Sequence, residues 1–395
     1  MTRPSRSILV VVFLTVFIDL VGFGIVIPLL PLYAKTHAPS PLVLGLLMAS
    51  FSAMQFFFAP ILGRLSDRFG RRPIVLFSLL GTVVSYLLFA LAHTIPGLFA
   101  SRLLAGITGG NIAAVQAIIA DVTPPEERAR GMALVGMAFG LGFIFGPAIG
   151  GLAVQLGEAG PGLFAASLSA IAFLWAFFRL PETRPAVAAP RPTTFLPVAA
   201  LVRTFRRPGI GVFLLLSALT TTAFANFEGT FSLFLSLTFL LPPEKVAGAF
   251  VAVGVLGVLV QGGLIRPLVK RFGEVRLLIA GAALVLAGFL ALLGARTLAA
   301  LVPAVGILGV GIGITNPALS GVVSRRTSAS EQGEVLGAFQ SMAALGRVVG
   351  PFWGASAFLR FGPVGPFGAG AFLEAAALIL CLTSLARESR EARAV

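Results

Sequence analysis

Charged residues are scarce in this chain. Of its 395 residues only 11% are Asp, Glu, Lys or Arg, whereas 57% are hydrophobic, and the mean hydropathy is +0.99. About a quarter of the residues of a soluble globular protein are charged. A soluble chain of this length has too little polar surface to cover so much apolar material, so the composition predicts that lipid is the solvent.

Cysteine and histidine are nearly absent as well. The single cysteine, Cys381, excludes an intramolecular disulfide and a cysteine-based metal site. The two histidines, His37 and His93, fall where predicted helices meet loops, which is an ordinary place for them. The glycine-rich stretch 310–315 lacks the lysine of a phosphate-binding loop. We therefore expect no cofactor, no metal, no enzymatic activity and no transport driven by ATP hydrolysis.

Long apolar runs are what the chain has in abundance. A membrane-spanning helix needs about 20 apolar residues, and twelve runs reach that length: 8–30, 42–62, 73–93, 96–120, 129–156, 161–180, 209–237, 245–268, 275–294, 298–323, 333–358 and 363–386. They predict an all-α membrane protein of twelve transmembrane helices. We place an N-terminal six-helix bundle at 1–180, a cytoplasmic linker at 181–208 and a C-terminal bundle at 209–395.

The basic residues predict the orientation. Of the 29 lysines and arginines, four fall at one side of the spans and two, Arg102 and Arg347, lie well inside spans, which leaves 23 in loops or at span ends on the other side. Positively charged loops stay in the cytoplasm. We therefore expect a multi-pass protein of the cell (inner) membrane with both termini cytoplasmic. The same bias accounts for the net charge of +14 without a nucleic-acid partner.

The two predicted bundles resemble each other in sequence. Three glycines and a proline recur at a constant offset of 204 residues: Gly142, Gly146, Pro147 and Gly150 match Gly346, Gly350, Pro351 and Gly354. The tripeptide 68–70 recurs at 271–273. Parallel repeats of six helices with a midplane binding site are one known plan for transporters. Two pseudo-symmetric six-helix bundles are therefore predicted.

Four motifs resemble those of one family. GRLSDRFGRR at 63–72, DLVGFGIVIP at 19–28, RLLAGITGG at 102–110 and GFIFGPAIGG at 142–151 are similar to the signature motifs of drug/proton antiporters. The chain is identified on these motifs as a member of the major facilitator superfamily, and 317–351 resembles tetracycline/proton antiporters. The resemblance implies the major facilitator fold, proton-coupled efflux and multidrug resistance.

The resemblance also implies a gate. In the family, the acid that matches Asp67 caps the start of the eleventh helix, near Gly333, and helps to close the cytoplasmic side. The alternative is that this loop only sets the orientation of the chain in the membrane. That alternative would explain the arginines of the loop but not its acid. Lys270 stands at the matching position of the second half. The predicted gating residues are the loop and close-packing positions Gly63, Asp67, Gly70, Arg71, Asp121, Gly142, Gly146, Pro147 and Gly150.

Ionisable residues inside spans are costly and therefore functional by default. Five are predicted to couple protons to transport: Asp19, Glu228, Arg102, Glu374 and Arg347. We expect Asp19 and Glu228 to carry the exchanged protons, because each half contributes one of them. We expect Arg102 to modulate this exchange, because a nearby positive charge lowers the pKa of a carboxylate. A static ion pair of Glu374 with Arg347 is the alternative for that pair.

The substrate is expected to be lipophilic or cationic. Phe224, Phe227, Glu228 and Phe231 share one predicted helix face, where an acid among aromatic rings suits a cation; a lipid-facing stripe is the alternative. Further substrate-binding candidates are the polar and aromatic midspan residues Asp19, Phe23, Asn111, Gln116, Gln261, Asn316 and Gln340. Tetracycline exporters have acids in the third and ninth helices, whereas this chain has Ser85 in the third and no acid in the ninth, which argues against tetracycline itself but not against efflux of another lipophilic compound.

Two other functions stay open on the sequence alone. Proton-coupled symport or export of a sugar or other metabolite is the nearest rival, and a channel or a membrane enzyme is more distant. The expected partners are a small-molecule substrate, protons and the lipid bilayer, and a monomer is expected.

Overall fold

The structure, a computed structural model, describes residues 3–35, 41–183, 197–207, 209–241 and 243–394. Over these ranges the chain forms fifteen α-helices and no strand. In chain order they are α1 (Arg3–Lys35), α2 (Pro41–Phe69), α3 (Arg71–Ala90), α4 (Ile95–Thr108), α5 (Asn111–Val122), α6 (Arg128–Ala153), α7 (Gly160–Arg179), α8 (Pro197–Phe205), α9 (Gly211–Thr238), α10 (Pro243–Leu259), α11 (Ile265–Phe272), α12 (Glu274–Gly294), α13 (Leu298–Arg325), α14 (Gln332–Phe361) and α15 (Gly365–Ala394).

The apolar helices build twelve membrane crossings. Helices predominate because a backbone in lipid must satisfy its own hydrogen bonds. Within the described residues, ten stretches are long and apolar enough to cross a membrane. The helices α2 and α6, with 29 and 26 residues, supply the other two crossings. The predicted fold class, twelve helices in two halves, is confirmed.

Two predicted spans are interrupted, and one helix was not predicted. The fourth span breaks at Gly109 and Gly110, between α4 and α5. The eighth span contains a π-helical turn, Val260–Leu264, between α10 and α11. The helix α8 lies inside the predicted linker, whose residues 184–196 are outside the described residues. Both interruptions contain paired glycines, which weaken a helix interior.

The internal repeat is visible in the backbone. Gly70, which separates α2 from α3, has a φ of 105°, and its counterpart Gly273 has a φ of 76°. Only glycine adopts this left-handed conformation without strain. Thr94 caps α4 by accepting from Gly97 N at 3.2 Å, and Thr297 caps α13 by accepting from Ala300 N at 3.3 Å. Both pairs are 203 residues apart, as the sequence repeat predicts.

The apolar core differs between the two ends of the bundle. At the end that holds Asp67, named here the Asp67 end, buried residues of both halves merge into one cluster that includes Leu62 and Leu336. At the opposite end, the described residues form two separate clusters. One contains Phe89 of the first half, and the other contains Phe289 of the second half. The two halves are therefore packed together at the Asp67 end.

Candidate gate and translocation pathway

Asp67 ties the two halves together. Its Oδ1 accepts a hydrogen bond from Gly333 N at 3.0 Å, and its Oδ2 accepts one from Glu334 N at 2.7 Å. These are free N–H groups in the first turn of α14, where the helix dipole also favours an anion. Burial raises the pKa of the Asp67 carboxyl, against the opposing effects of Arg71 and of the two N–H groups. The predicted contact with Gly333 is confirmed, and the gating role stays a prediction.

Arg71 links Asp67 to a second acid. Its guanidinium pairs with Asp67 and donates to Asp121 Oδ2 at 3.0 Å, and it is 1% exposed. Glu182 of the predicted linker accepts from the backbone N–H of Arg71 at 2.8 Å and from that of Arg72 at 3.2 Å. Glu182 thereby caps α3, a role that the sequence analysis missed. Three carboxylates and one buried arginine thus fix the ends of α2, α3 and α5 relative to one another.

Glycines allow α2 and α14 to touch along their backbones. A Cβ atom added to Gly63 would lie 2.0 Å from Gly333 O, and one added to Gly337 would lie 2.7 Å from Ala59 O. Real Cβ atoms do not approach backbone this closely, so any larger residue at Gly63 would force the helices apart. The predicted gate residue Gly63 is therefore a contact point between the halves.

The second half provides a weaker counterpart at the same end. Arg128 donates to Ser324 O at 2.8 Å, and Arg266 pairs with Glu127 at 3.8 Å with 62% of its side chain exposed. Lys270, which replaces Asp67 in the repeat, is exposed. A cation cannot accept hydrogen bonds from the N–H groups of a helix start. The closure of the second half therefore lacks the anion cap of the first.

The predicted glycine stripe packs helices within each half. Cβ atoms added to Gly142 and Gly146 would lie 2.9 Å from Leu20 and 2.5 Å from Gly24, both of α1. In the second half, Gly346 and Gly350 approach α9 equally closely. Gly150 is buried on the same helix, and the side chain of Pro147 lies outside the described residues. The stripe forms a tight seam between α6 and α1.

Asp19 lies in a polar pocket of the first half. The side chains of Asn111 and Thr82 hydrogen-bond with its carboxylate, and its Oδ1 is buried without a partner. Tyr86, which sequence reasoning missed, is buried in the same half and packs its ring against Gly22 of α1. An acid with an unsatisfied buried oxygen gains most from binding a proton or a ligand.

Arg102 is buried on aromatic rings. It is 2% exposed, and its guanidinium carbon lies 5.9 Å from the ring centre of Tyr86 and 5.5 Å from that of Phe89. One of its terminal nitrogens has no hydrogen-bond partner. Among the described ion pairs, none involves Arg102. Cation–π attraction therefore holds this charge in the membrane.

Glu228 and Arg347 lie together in the second half. The two interact electrostatically, and Arg347 also hydrogen-bonds across to Gln55 Oε1 on α2. Gln55 is 4% exposed and was not predicted as a site residue. Glu374 lies elsewhere: it is 1% exposed, its Oε2 is buried without a partner, and none of the ion pairs among the described residues includes it. The considered ion pair of Glu374 with Arg347 is thus absent from the described residues.

Two predicted aromatic ligands are buried in the core of the second half in this conformer, and their role in substrate binding stays a prediction. Phe227 and Phe231 are 1% and 0% exposed, and their ring centres are 4.5 Å apart. They pack against Phe250 and Phe289 rather than lining an open surface. Helical periodicity identified their shared face but could not say what covers it. Phe224, which is only partly buried, packs against the same cluster.

The remaining polar candidates divide into two groups. Gln340 donates to Gln116 Oε1 at 3.1 Å across the two halves, and Gln261 packs on Gly136 of α6, also across the halves. By contrast, Asn316 is exposed, and Phe23 packs on Phe51 of its own half with ring centres 5.0 Å apart. The first group therefore joins the halves in this conformer. No cluster of His, Cys, Asp and Glu suited to a metal occurs in the described part of the chain.

These features define a class of protein: an α-helical membrane transporter of two similar halves, closed at one end, with buried ionisable groups along its middle. The sequence pattern of the Major Facilitator Superfamily matches residues 12–351 and 214–394. The chain belongs to this superfamily, whose members are transporters and not enzymes.

Relatives cover nearly the whole chain. The tetracycline resistance protein, class C, of Escherichia coli is 33% identical over 356 residues, covering 88% of this chain and 88% of that protein. Major facilitator superfamily domain-containing protein 10 of Homo sapiens is 30% identical over 410 residues, covering 90% of this chain and 88% of that protein. The crystal structure of the human organic anion transporter MFSD10 is 29% identical and superposes with a TM-score of 0.86, covering 96% of this chain and 100% of that chain.

Proposed function

We propose that this chain exports a lipophilic or cationic small molecule in exchange for protons, by alternating access. The observation that carries the proposal is a half-buried acid within a span of each half, Asp19 and Glu228, beside neutral or basic partners. An ionised acid attracts a cation, and a protonated acid releases it. Similarity to tetracycline resistance proteins supports efflux of a drug-like compound.

The orientation belongs to the same proposal. The charge bias places the Asp67 end, with both termini, in the cytoplasm. Packing of the two halves at the Asp67 end then gives a conformer closed to the cytoplasm. A protease that cut the linker around 184–196 from outside intact cells would contradict this orientation.

Export of an organic anion is the second candidate. Arg102 is buried and forms no ion pair with a carboxylate in the described residues. Buried cations without a paired anion suit a negatively charged substrate. The similar human protein is an organic anion transporter by its title.

Proteoliposomes with an imposed pH gradient test the proposal. The probes are ethidium as a lipophilic cation, tetracycline, and carboxyfluorescein as an organic anion. We expect uphill accumulation of ethidium, opposite in direction to proton flow, which collapses when the gradient is dissipated. Tetracycline tests whether the missing acids of the third and ninth helices exclude that substrate. Accumulation of carboxyfluorescein alone would establish the second candidate. Accumulation in the direction of proton flow would indicate symport.

Variants that remove the charge of one acid test which residues couple proton movement to transport. Asp19→Asn and Glu228→Gln should each abolish pH-driven accumulation while leaving downhill exchange at least partly intact. Glu158→Gln, at an exposed acid outside the spans, is the matched control and should transport normally. If both variants still concentrate substrate, coupling lies elsewhere, and Glu374 becomes the leading candidate.

A further inference from the structure

Gln55 connects the ionisable pair of one half to the broken span of the other. Its Oε1 accepts from Arg347, and its Nε2 donates to Gly109 O at 2.8 Å. The carbonyl of Gly109 is available because the helix is interrupted between α4 and α5. Asn111, two residues further along, holds Asp19. Gln55 therefore lies between Arg347 of one half and the broken span of the other half that carries Asn111.

Arg347 has two possible partners and contacts one of them here. It donates to Gln55 across the halves, whereas none of the described ion pairs joins it to Glu228 of its own half. An arginine in a dry interior favours an anion over a neutral amide. Ionisation of Glu228 would therefore draw Arg347 away from Gln55, and protonation would return it.

We propose that Gln55 is a positioning residue that holds Arg347 across the interface while Glu228 is protonated, and loses it when Glu228 ionises. This inference rests on the proposed function. Loss of the bond removes one of the hydrogen bonds that join the halves at midspan, so it favours opening of the Asp67 end. The proton on Glu228 thereby acts on the interface between the halves and not only on substrate affinity.

No other charge acts on Glu228 among the described residues. Arg347 of α14 is the one charged group that influences it, and Glu374 of α15 does not. Lys245, on α10, is exposed near the far end of α9. The other charged side chains that the structure describes on helices packed against α9 lie near the ends of those helices: Arg203 of α8, Arg325 of α13, and Glu334 and Arg360 of α14. Arg203 pairs with Glu334, and Arg325 pairs with Glu274.

The test measures conformation and needs no substrate. Two exposed loop residues at the Asp67 end, Glu126 and Ser330, belong to opposite halves. Glu126→Cys and Ser330→Cys, in a Cys381→Ala background, carry a fluorescent donor and acceptor in lipid nanodiscs. Energy transfer gives the open fraction of the Asp67 end from acidic to alkaline pH. In otherwise unaltered protein we expect the open fraction to rise with pH.

Gln55→Met keeps the side-chain volume and removes the hydrogen bonds. We expect its open fraction at acidic pH to rise about tenfold, the size expected for a hydrogen bond to a charged group, and to lose its pH dependence. Glu228→Gln should also lose the pH dependence but stay closed. Gln55→Glu keeps an acceptor and adds a charge, so it should stay closed at every pH.

Gln116→Met is the matched control. It removes the other glutamine bond across the halves, from Gln340, without touching an arginine. We expect it to shift the open fraction by the same factor at every pH. If Gln55→Met behaves like this control, Gln55 is only structural and the inference is overturned. A flat pH profile in the unaltered protein overturns it too. Loss of uphill transport in Glu228→Gln would still support the proposed function in either case.

Discussion

The two halves close the Asp67 end with different chemistry. In the first half, the Asp67 carboxylate accepts two backbone N–H groups at the start of α14. In the second half, Lys270 stands at the matching position and the closure relies on Arg128 and on the exposed Arg266–Glu127 pair. An anion at a helix start with two charge-assisted hydrogen bonds is worth more than an exposed ion pair.

Positions that match in the sequence repeat therefore need not have the same role in closing the Asp67 end. The turn glycines Gly70 and Gly273 and the caps Thr94 and Thr297 are conserved in both position and geometry. They preserve the fold. The charged residues at matching positions, Asp67 and Lys270, differ, so the contact made by Asp67 is the stronger of the two at this end. We expect the stability of the closed conformer to depend mainly on Asp67.

The largest effect is expected for Asp67→Asn. Losing the charge should destabilise the closed conformer by about 2 kcal/mol, or roughly 30-fold in its population. Transport in proteoliposomes should fall by a similar factor while the melting temperature changes little. Arg266→Gln is the counterpart in the second half and should change the rate less than about twofold. Equal losses in the two variants would show that the closures are equivalent.

A smaller effect is expected for Gly63→Ala. The added Cβ would lie 2.0 Å from Gly333 O, so the closed interface must separate at a cost of about 1–3 kcal/mol. The open fraction, measured by energy transfer between positions 126 and 330, should rise roughly tenfold. Gly263→Ala adds the same methyl group where nothing lies within 4 Å and should leave the open fraction unchanged. An unchanged open fraction in Gly63→Ala would mean that the interface is looser than its geometry indicates.

Local patterns predicted the part of the site that depends on close packing of helices. The glycine spacing predicted the close contacts of Gly142 and Gly146, whereas the contact of Asp67 with Gly333 was expected from the family resemblance of the loop motif. Close packing at glycines depends on backbone geometry that a short sequence window specifies. The span lengths predicted all twelve crossings for the same reason.

Partners that lie far apart in sequence and outside the family motifs were not predicted. Gln55 and Arg347 are 292 residues apart, and Glu182 lies in a polar linker with no helical pattern. Neutral amides occur in many spans, so composition does not single out Gln55. Phe227 and Phe231 illustrate a second limit. Helical periodicity predicts that they share one face of the helix, but it does not predict which residues pack against that face.

The most direct test of proton exchange is the release of protons when substrate binds. Purified protein in weakly buffered detergent solution, with a pH-indicator dye, is mixed with whichever probe the proteoliposomes accumulate. The account predicts proton release by the unaltered protein, less release by Asp19→Asn and by Glu228→Gln, and none by the double variant. Substrate binding by the unaltered protein without any proton release would contradict it.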